Sequence, residues 1–116
     1  MATPEGTIKG KLDRRLKKLS HFTPLFVYSP NAGPYGSAGI PDRVAIVRGR
    51  FVGIECKASA SSKLTALQAK TRDQILAAGG AYFVVYDDKT IDDVIAFFAT
   101  EILKDACATG QESNHP

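Results

Sequence analysis

The spacing of hydrophobic residues changes along the chain and predicts an alternation of helices and strands. Near the N-terminus, after a proline-containing start, apolar residues recur with a helical period at Ile8, Leu12, Leu16 and Leu19. Short apolar runs predict strands over 25–28, 44–47 and 51–54, and a continuous run over 81–86 predicts a fourth, buried strand. One helix is predicted from Thr65 to the Gly79-Gly80 stop, and another, capped by Thr90, follows the fourth strand.

The last predicted helix has an unusually wide apolar stripe. Its members are Ile91, Val94, Ile95, Phe98 and Ile102, widened by Phe97 and Leu103. Such a stripe serves either as core packing or as a subunit interface. Both interpretations are compatible with the sequence.

The second and third strands are predicted to form a β-hairpin. Gly49-Arg50 lies between the two apolar runs and suits a tight turn with glycine at its first central position. This turn sets Arg48 opposite Phe51. The remaining register of the hairpin follows by counting back from that pair.

This register collects three charged residues on one face of the hairpin. It sets Val44 opposite Glu55 and Asp42 opposite Lys57, and all four share a face because side chains alternate with a period of two. The other face, directed toward a core, receives Val52, Ile54 and Cys56.

The charged face is either a metal-binding site or an ordinary surface salt bridge. Opposed residues have Cβ atoms roughly 4.5–5.5 Å apart and diagonal ones roughly 7–8 Å, so the Asp42 and Glu55 carboxylates reach one cation. Mg²⁺ suits two carboxylates, since it keeps several waters and accepts phosphate oxygens, and Lys57 would point at its edge. The alternative is a surface salt bridge between Asp42 and Lys57, with Glu55 solvated.

The motif Gly39-Ile40-Pro41-Asp42, followed by Glu55-Cys56-Lys57, resembles the signature of the PD-(D/E)xK nuclease superfamily. Glu5 in the first helix and Gln68 in Leu64-Thr65-Ala66-Leu67-Gln68 make the chain similar to the VRR-NUC family of that superfamily, in its stand-alone viral and bacterial form. The resemblance covers roughly residues 4–87. It implies an α/β fold with a restriction-endonuclease-like αβββαβ core, a mixed β-sheet flanked by helices. A departure is Cys56, where the family has an ordinary apolar residue.

The resemblance also implies a role for each matched residue. Asp42 and Glu55 would bind a divalent metal, Mg²⁺ or Mn²⁺, with the main-chain carbonyl of Cys56 as a further ligand, and Lys57 would serve the attacking water. Glu5 and Gln68 would complete the site. From the residues alone, two other roles stay open: Glu5 as a first-turn acid favoured by the helix dipole, and Gln68 as the capping-box partner of Thr65.

Charge is distributed unevenly along the chain. The net charge is +3, but residues 1–72 contain thirteen Lys or Arg against four acids, and the remainder contains two against eight. Three of those four acids are the proposed site residues. The basic half is either a solvated surface or a DNA-binding surface. The predicted DNA contacts are Lys9, Lys11, Arg14, Arg15, Lys18, Arg43 and Lys63.

The remaining stretches define one domain over residues 1–108, followed by a polar, disordered tail over 109–116. The loop over 29–41 is rich in glycine and proline, and its Tyr35 either stacks on a base or belongs to an ordinary connection. The chain has no apolar signal region, no stretch long enough for a membrane span, and two cysteines without a disulfide framework. The reducing cytoplasm of a bacterial or phage-infected cell is the expected location.

These observations predict a metal-dependent DNA endonuclease that needs no small-molecule cofactor. The expected substrate is branched DNA such as a Holliday junction, cut by a homodimer, because two symmetric cuts require a two-fold pair of sites. Two alternatives remain. One is a flap or nicking endonuclease, and the other is a non-catalytic DNA-binding module.

Overall fold

The structure, a computed structural model, describes residues 3–30 and 38–107, and the side chains up to residue 104. Its elements in chain order are α1 (Pro4–Ser20), β1 (Phe26–Tyr28), β2 (Arg43–Val47), β3 (Arg50–Cys56), α2 (Ala66–Ala77), β4 (Ala81–Val85) and α3 (Asp88–Cys107). The strands form one sheet in the order β1-β2-β3-β4, antiparallel except for the parallel pair β3 and β4. The predicted α/β fold, with a mixed sheet flanked by helices, is confirmed.

Two helices begin as their sequences predict. Thr3 caps α1, since its hydroxyl accepts the main-chain N–H of Gly6 at 3.0 Å, and Pro4 occupies the first turn. Thr65 caps α2 with both halves of a capping box, and Gly79 ends that helix with a φ of 93°.

The third helix begins differently from the prediction, because Asp87 rather than Thr90 is its cap. The Asp87 carboxylate accepts the main-chain N–H of Thr90 at 2.8 Å, and the Thr90 hydroxyl accepts the main-chain N–H of Asp87 at 3.1 Å. The two side chains form a reciprocal pair in which aspartate, a strong N-cap residue, lies outside the helix and threonine within its first turn.

The hairpin turn is at Arg48-Gly49, so the predicted turn at Gly49-Arg50 is wrong. Both turn residues have positive φ, 50° and 82°, which is the geometry of the tight turn that matches strand twist. Val47 therefore pairs with Arg50, and Phe51 pairs with Ile46 rather than with Arg48.

Because the turn lies one residue earlier than predicted, each residue of β2 pairs with a residue of β3 two positions earlier than predicted. A shift of two positions leaves every side chain on the same face of the sheet, so the predicted faces are correct. Val44 lies opposite Gly53 instead of Glu55. Continued by one step beyond the paired residues, the same register puts Asp42 across from Glu55 instead of Lys57. In the observed register the two carboxylates are directly opposite each other, and therefore closer together than in the predicted register, where they were diagonal.

One face of the sheet packs against α1 and α3 and contains the hydrophobic core. Val52, Ile54 and Cys56 are fully buried there, as predicted. All of the α3 stripe except Leu103 belongs to the same core: Ile91, Val94 and Phe98 are buried in it, and Ile95, Phe97 and Ile102 pack at its margin. Leu103 is 64% exposed. Core packing is therefore the correct interpretation of that stripe.

The opposite face of the sheet is covered less completely. Helix α2 lies over β3 and β4 at Gly53, where a Cβ atom would come within 3.3 Å of Pro41, Ile75 and Tyr82, and none of the residues of α2 is buried. On the part of this face that α2 leaves open, the exposed apolar residues are Phe26, Tyr28, Ile46 and Phe51. In the part of the chain that the structure describes, no helix is long and apolar enough to cross a membrane.

Candidate active site

The two predicted carboxylates meet where β2 begins and β3 ends. Asp42 immediately precedes β2, and its Oδ2 accepts the main-chain N–H of Cys56 in β3 at 2.8 Å. This hydrogen bond fixes Asp42 beside Glu55, the preceding residue of β3. The arrangement comes from the hairpin alone, and no helix is needed to bring the two acids together.

Glu55 is a buried carboxyl group with an incomplete set of partners. Its side chain is 5% exposed, Oε2 accepts a hydrogen bond from Gln68 Nε2 at 2.9 Å, and Oε1 is buried without a hydrogen-bond partner. Burial raises the pKa of Glu55 from its ordinary value of 4.5 to about 8. The charge of Asp42 and a hydrogen bond from the protonated Glu55 carboxyl to Asp42 add to the shift, and Lys57 opposes it. The ionised form of Glu55 therefore lacks a counter-charge of sufficient strength.

Lys57 is held at the same edge by Gln68. Its Nζ donates to Gln68 Oε1 at 2.8 Å and lies 4.0 Å from Glu55 Oε2. Gln68 Oε1 also accepts the main-chain N–H of Thr65 at 2.9 Å, which completes the capping box. The two roles that the sequence leaves open for Gln68 are thus combined, because one amide caps α2 and contacts both Glu55 and Lys57.

Glu5 contacts this cluster through Lys9. Lys9 Nζ lies 3.4 Å from Glu5 Oε2 and 3.4 Å from Asp42 Oδ1, so the ammonium group separates two acids. Burial alone would lower the pKa of Lys9, but the carboxylates of Asp42 and Glu5 raise it above its ordinary value. The sequence predicts Lys9 as a DNA contact and does not indicate this position, although its spacing of one helical turn from Glu5 is the usual spacing of an ion pair.

The chemistry of the donors fits one small divalent cation. Within residues 3–30 and 38–107, no three His, Cys, Asp or Glu side chains converge to form a metal centre by themselves. The pair Asp42 and Glu55 suits Mg²⁺, which is usually bound by one or two protein carboxylates and completes its coordination shell with water. The unpartnered Glu55 Oε1 is the oxygen that such an ion would satisfy.

Cys56 offers its carbonyl rather than its thiol to this edge. Its side chain lies in the core, and burial raises the pKa of the thiol to about 12, so the sulfur stays protonated. The main-chain N–H of Lys57 donates to Val85 in β4, and the two groups of a trans peptide point in opposite directions. The Cys56 carbonyl therefore points away from β4, toward the side where Asp42 lies.

The predicted DNA contacts divide into two groups. Four of them form ion pairs within the molecule: Lys9 with Glu5 and Asp42 at 3.4 Å each, Lys11 with Asp88 at 3.2 Å, Arg15 with Asp92 at 2.7 Å, and Arg43 with both oxygens of Asp13 at 2.6 and 2.8 Å.

Outside those pairs, Lys63 is exposed in the segment before α2, and Arg14 and Lys18 lie toward the end of α1. The latter two border a shallow cavity with His21 and Phe22. Tyr35 and the tail from residue 109 lie outside the described residues.

Tyr82 is a polar residue of the site face that sequence analysis did not single out. It pairs with Gly53 across β3 and β4, and its hydroxyl is buried without a hydrogen-bond partner. Burial raises its pKa above the ordinary value, and the negative charge of Glu55 adds to the shift. In sequence, Tyr82 is one residue of a continuous apolar run, which gives no signal of its position.

The fold and the site together define an α/β protein with a nuclease-like core, in which an aspartate, a glutamate and a lysine converge at the open end of a hairpin. Comparison with solved structures agrees: the chain is similar to a structure described as a VRR_NUC domain, with 26% sequence identity and a TM-score of 0.69. The match covers 82% of this chain and 97% of that chain. The predicted resemblance to the VRR-NUC family is thereby confirmed. Scans against protein-family models and curated proteins gave no match.

Proposed function

We propose that the protein is a divalent-metal-dependent endonuclease that hydrolyses phosphodiester bonds in DNA. The observation that supports this most directly is Glu55 Oε1, a buried carboxylate oxygen without a partner beside a second carboxylate. A cation bound there removes both the repulsion and the unsatisfied oxygen. The similarity to a VRR_NUC domain supports the same activity.

In this proposal the metal is held by Asp42, Glu55 and the main-chain carbonyl of Cys56. When bound, it supplies a Lewis acid that polarises the phosphate and makes a bound water more acidic. Lys57 orients the attacking water and offsets negative charge that develops on the phosphate. Gln68 keeps Lys57 in place through the 2.8 Å hydrogen bond, and Glu5 acts from the outer margin through Lys9.

The proposed substrate is branched DNA, such as a Holliday junction, and the proposed active form is a homodimer. One small domain with one site cuts one strand, so two symmetric cuts require two copies related by a two-fold axis. The α3 stripe does not support this interface, because all of its residues except Leu103 lie in the core. The surface that does support it is the exposed apolar part of the sheet, with Phe26, Tyr28, Ile46 and Phe51.

A flap or nicking endonuclease is the second candidate, and the single site per chain favours it if the protein is a monomer. A DNA-binding module without catalysis is the third. Such a module would need the basic surface but would have no use for an unpartnered buried carboxylate, which costs roughly 1–3 kcal/mol in stability.

The deciding experiment is cleavage of labelled four-way junction, flap and linear duplex DNA with Mg²⁺ or Mn²⁺. We expect Asp42→Asn and Lys57→Met to cut about 100-fold more slowly or worse than the wild type. DNA binding should change by only a few fold. Asparagine keeps an oxygen that can accept the Cys56 N–H, so Asp42→Asn changes charge more than structure. Lys89→Met, on the exposed side of α3, is the matched control for loss of one lysine.

If the wild type and both variants bind DNA equally and none cuts, the hairpin is structural and the binding module is the correct interpretation. Sedimentation of the protein at assay concentration decides the assembly. A monomer that cuts flaps and ignores four-way junctions would refute the homodimer and leave the nuclease intact.

A further inference from the structure

Each carboxylate oxygen of Asp42 already has a partner. Oδ2 is bound to the main-chain N–H of Cys56 at 2.8 Å, and Oδ1 lies 3.4 Å from the Lys9 ammonium group. The first contact belongs to the backbone of the hairpin and is as rigid as the sheet. The second involves a long side chain that is 33% exposed. A metal ion that binds Asp42 through Oδ1 therefore comes close to the Lys9 ammonium group.

Lys9 and a divalent ion compete for the same oxygen. Two cations on one carboxylate oxygen repel each other strongly in a partly buried site, where water screens charge poorly. The lysine is able to leave, because its flexible stem extends from α1 and Glu5 on the same helix keeps one ion-pair partner for it. The backbone N–H of Cys56 has no comparable freedom.

We propose that Lys9 is the resident counter-ion of the metal-free site, displaced by the metal and then used to bind a phosphate of the DNA. This inference rests on the proposed function. Lys9 neutralises Asp42 until the metal arrives, and afterwards its ammonium group lies at the edge of the site with only Glu5 as a partner. A DNA phosphate supplies the missing negative charge.

Metal binding and DNA binding therefore favour each other. Without DNA, the affinity of the site for the metal is reduced, because the ion pair between Lys9 and Asp42 must be broken first. With DNA present, the phosphate accepts the displaced ammonium group, so the metal binds more tightly. Such coupling is reciprocal, since each ligand raises the affinity of the other by the same factor.

The test is titration calorimetry of Mn²⁺ binding to metal-free protein, with and without a short DNA duplex. The Lys57→Met background keeps cleavage slow during the measurement, since this variant is expected to cut about 100-fold more slowly or worse. In that background we expect Lys9→Met to bind Mn²⁺ about fivefold more tightly without DNA, and to show a smaller gain on adding DNA. Lys9→Arg, which keeps the charge, should behave like the background protein, and Lys89→Met should change neither value.

A folded Lys9→Met variant with unchanged or weaker Mn²⁺ affinity overturns the inference, because Lys9 is then a structural link between α1 and the hairpin. Circular dichroism checks the fold, and Lys9→Gln gives the same comparison if the methionine variant does not fold. The proposed metal site survives that outcome as long as the background protein binds Mn²⁺ and Asp42→Asn does not. If no variant binds Mn²⁺ with or without DNA, the proposed function itself fails.

Discussion

Glu55 is the residue whose energetics depend most on what the site binds. Its pKa of about 8 means that folded, metal-free protein holds the carboxyl proton more tightly than the unfolded chain, where the ordinary value is 4.5. The corresponding stability is fully present below pH 4.5 and is lost as the pH rises toward 8. A bound cation would reverse this by favouring the ionised form.

We therefore expect the metal-free protein to lose stability between pH 5 and pH 8 in a way that Glu55→Gln abolishes. At pH 8 the glutamine variant should be more stable than the wild type by on the order of 1–3 kcal/mol, since no unpartnered charge is left buried. Urea unfolding in the presence of a chelator, at both pH values, measures this. An equal loss in both proteins would show that Glu55 does not cause it.

The sequence was sufficient to predict which residues share the site face and insufficient to predict how they are paired. The shared face of Asp42, Glu55 and Lys57 follows from the alternation of side chains along a strand. The error in the position of the turn did not change that face. Lys9 could not be placed, because the contact between α1 and the start of β2 depends on packing through the core. The double role of Gln68 could not be chosen either, since one spacing is compatible with both roles.

At the scale of elements, Gly53 sets how closely α2 approaches the sheet. A Cβ at this position would lie 2.9 Å from Pro41 Cγ, 3.2 Å from Ile75 Cδ1 and 3.3 Å from Tyr82 Cδ1. The first of these neighbours immediately precedes Asp42, and the second belongs to the helix that holds Gln68. Any shift that relieves the crowding therefore moves one side of the site.

Gly53→Ala is expected to destabilise the protein by roughly 1–3 kcal/mol, as overpacking does, and to weaken Mn²⁺ binding. Gly10→Ala in α1 is the matched control, because its Cβ would meet only the end of a flexible arginine at 3.4 Å. That variant should be slightly more stable than the wild type, since alanine suits a helix interior better than glycine. Thermal unfolding and Mn²⁺ titration of both variants test this, and wild-type behaviour of Gly53→Ala would contradict it.

The predicted elements were correct in kind and order, and the errors occurred at their ends. The turn shifted because Arg48 accepts a positive φ, a conformation that the residue type does not favour. The cap of α3 shifted because Asp87 and Thr90 both have oxygens of the required kind three residues apart. Residue preferences alone do not determine which of two suitable residues caps the helix.

For the whole molecule, the distribution of ion pairs indicates which basic residues remain available for DNA. Lys11 and Arg15 join α1 to α3 through Asp88 and Asp92, so their positive charges are already paired with carboxylates of the same molecule. Within the part of the chain that the structure describes, Arg14, Lys18 and Lys63 show no ion pair. The sequence does not show this distinction, because the acids that pair with Lys11 and Arg15 are 77 residues away along the chain.

We expect removal of Arg14 and Lys18 to weaken DNA binding and to flatten its salt dependence. For every phosphate that the variant no longer neutralises, the slope of log affinity against log salt should fall by about 0.9. Removing Lys11 and Arg15 should leave that slope nearly unchanged. Fluorescence anisotropy with labelled duplex between about 50 and 200 mM salt distinguishes the pairs. Equal slopes for the two double variants would show that the internal ion pairs do not restrict these residues.

The hydrogen bonds of Gln68 link the first turn of α2 to the side chains of the proposed active site. Its oxygen accepts two donors, Lys57 Nζ and the Thr65 N–H, and its nitrogen donates to Glu55, so the amide has one satisfactory orientation. When the first turn of α2 frays, Lys57 and Glu55 lose their partner in the same event. If the proposed nuclease requires these contacts, the fraction of active molecules equals, at most, the fraction in which that single turn is closed.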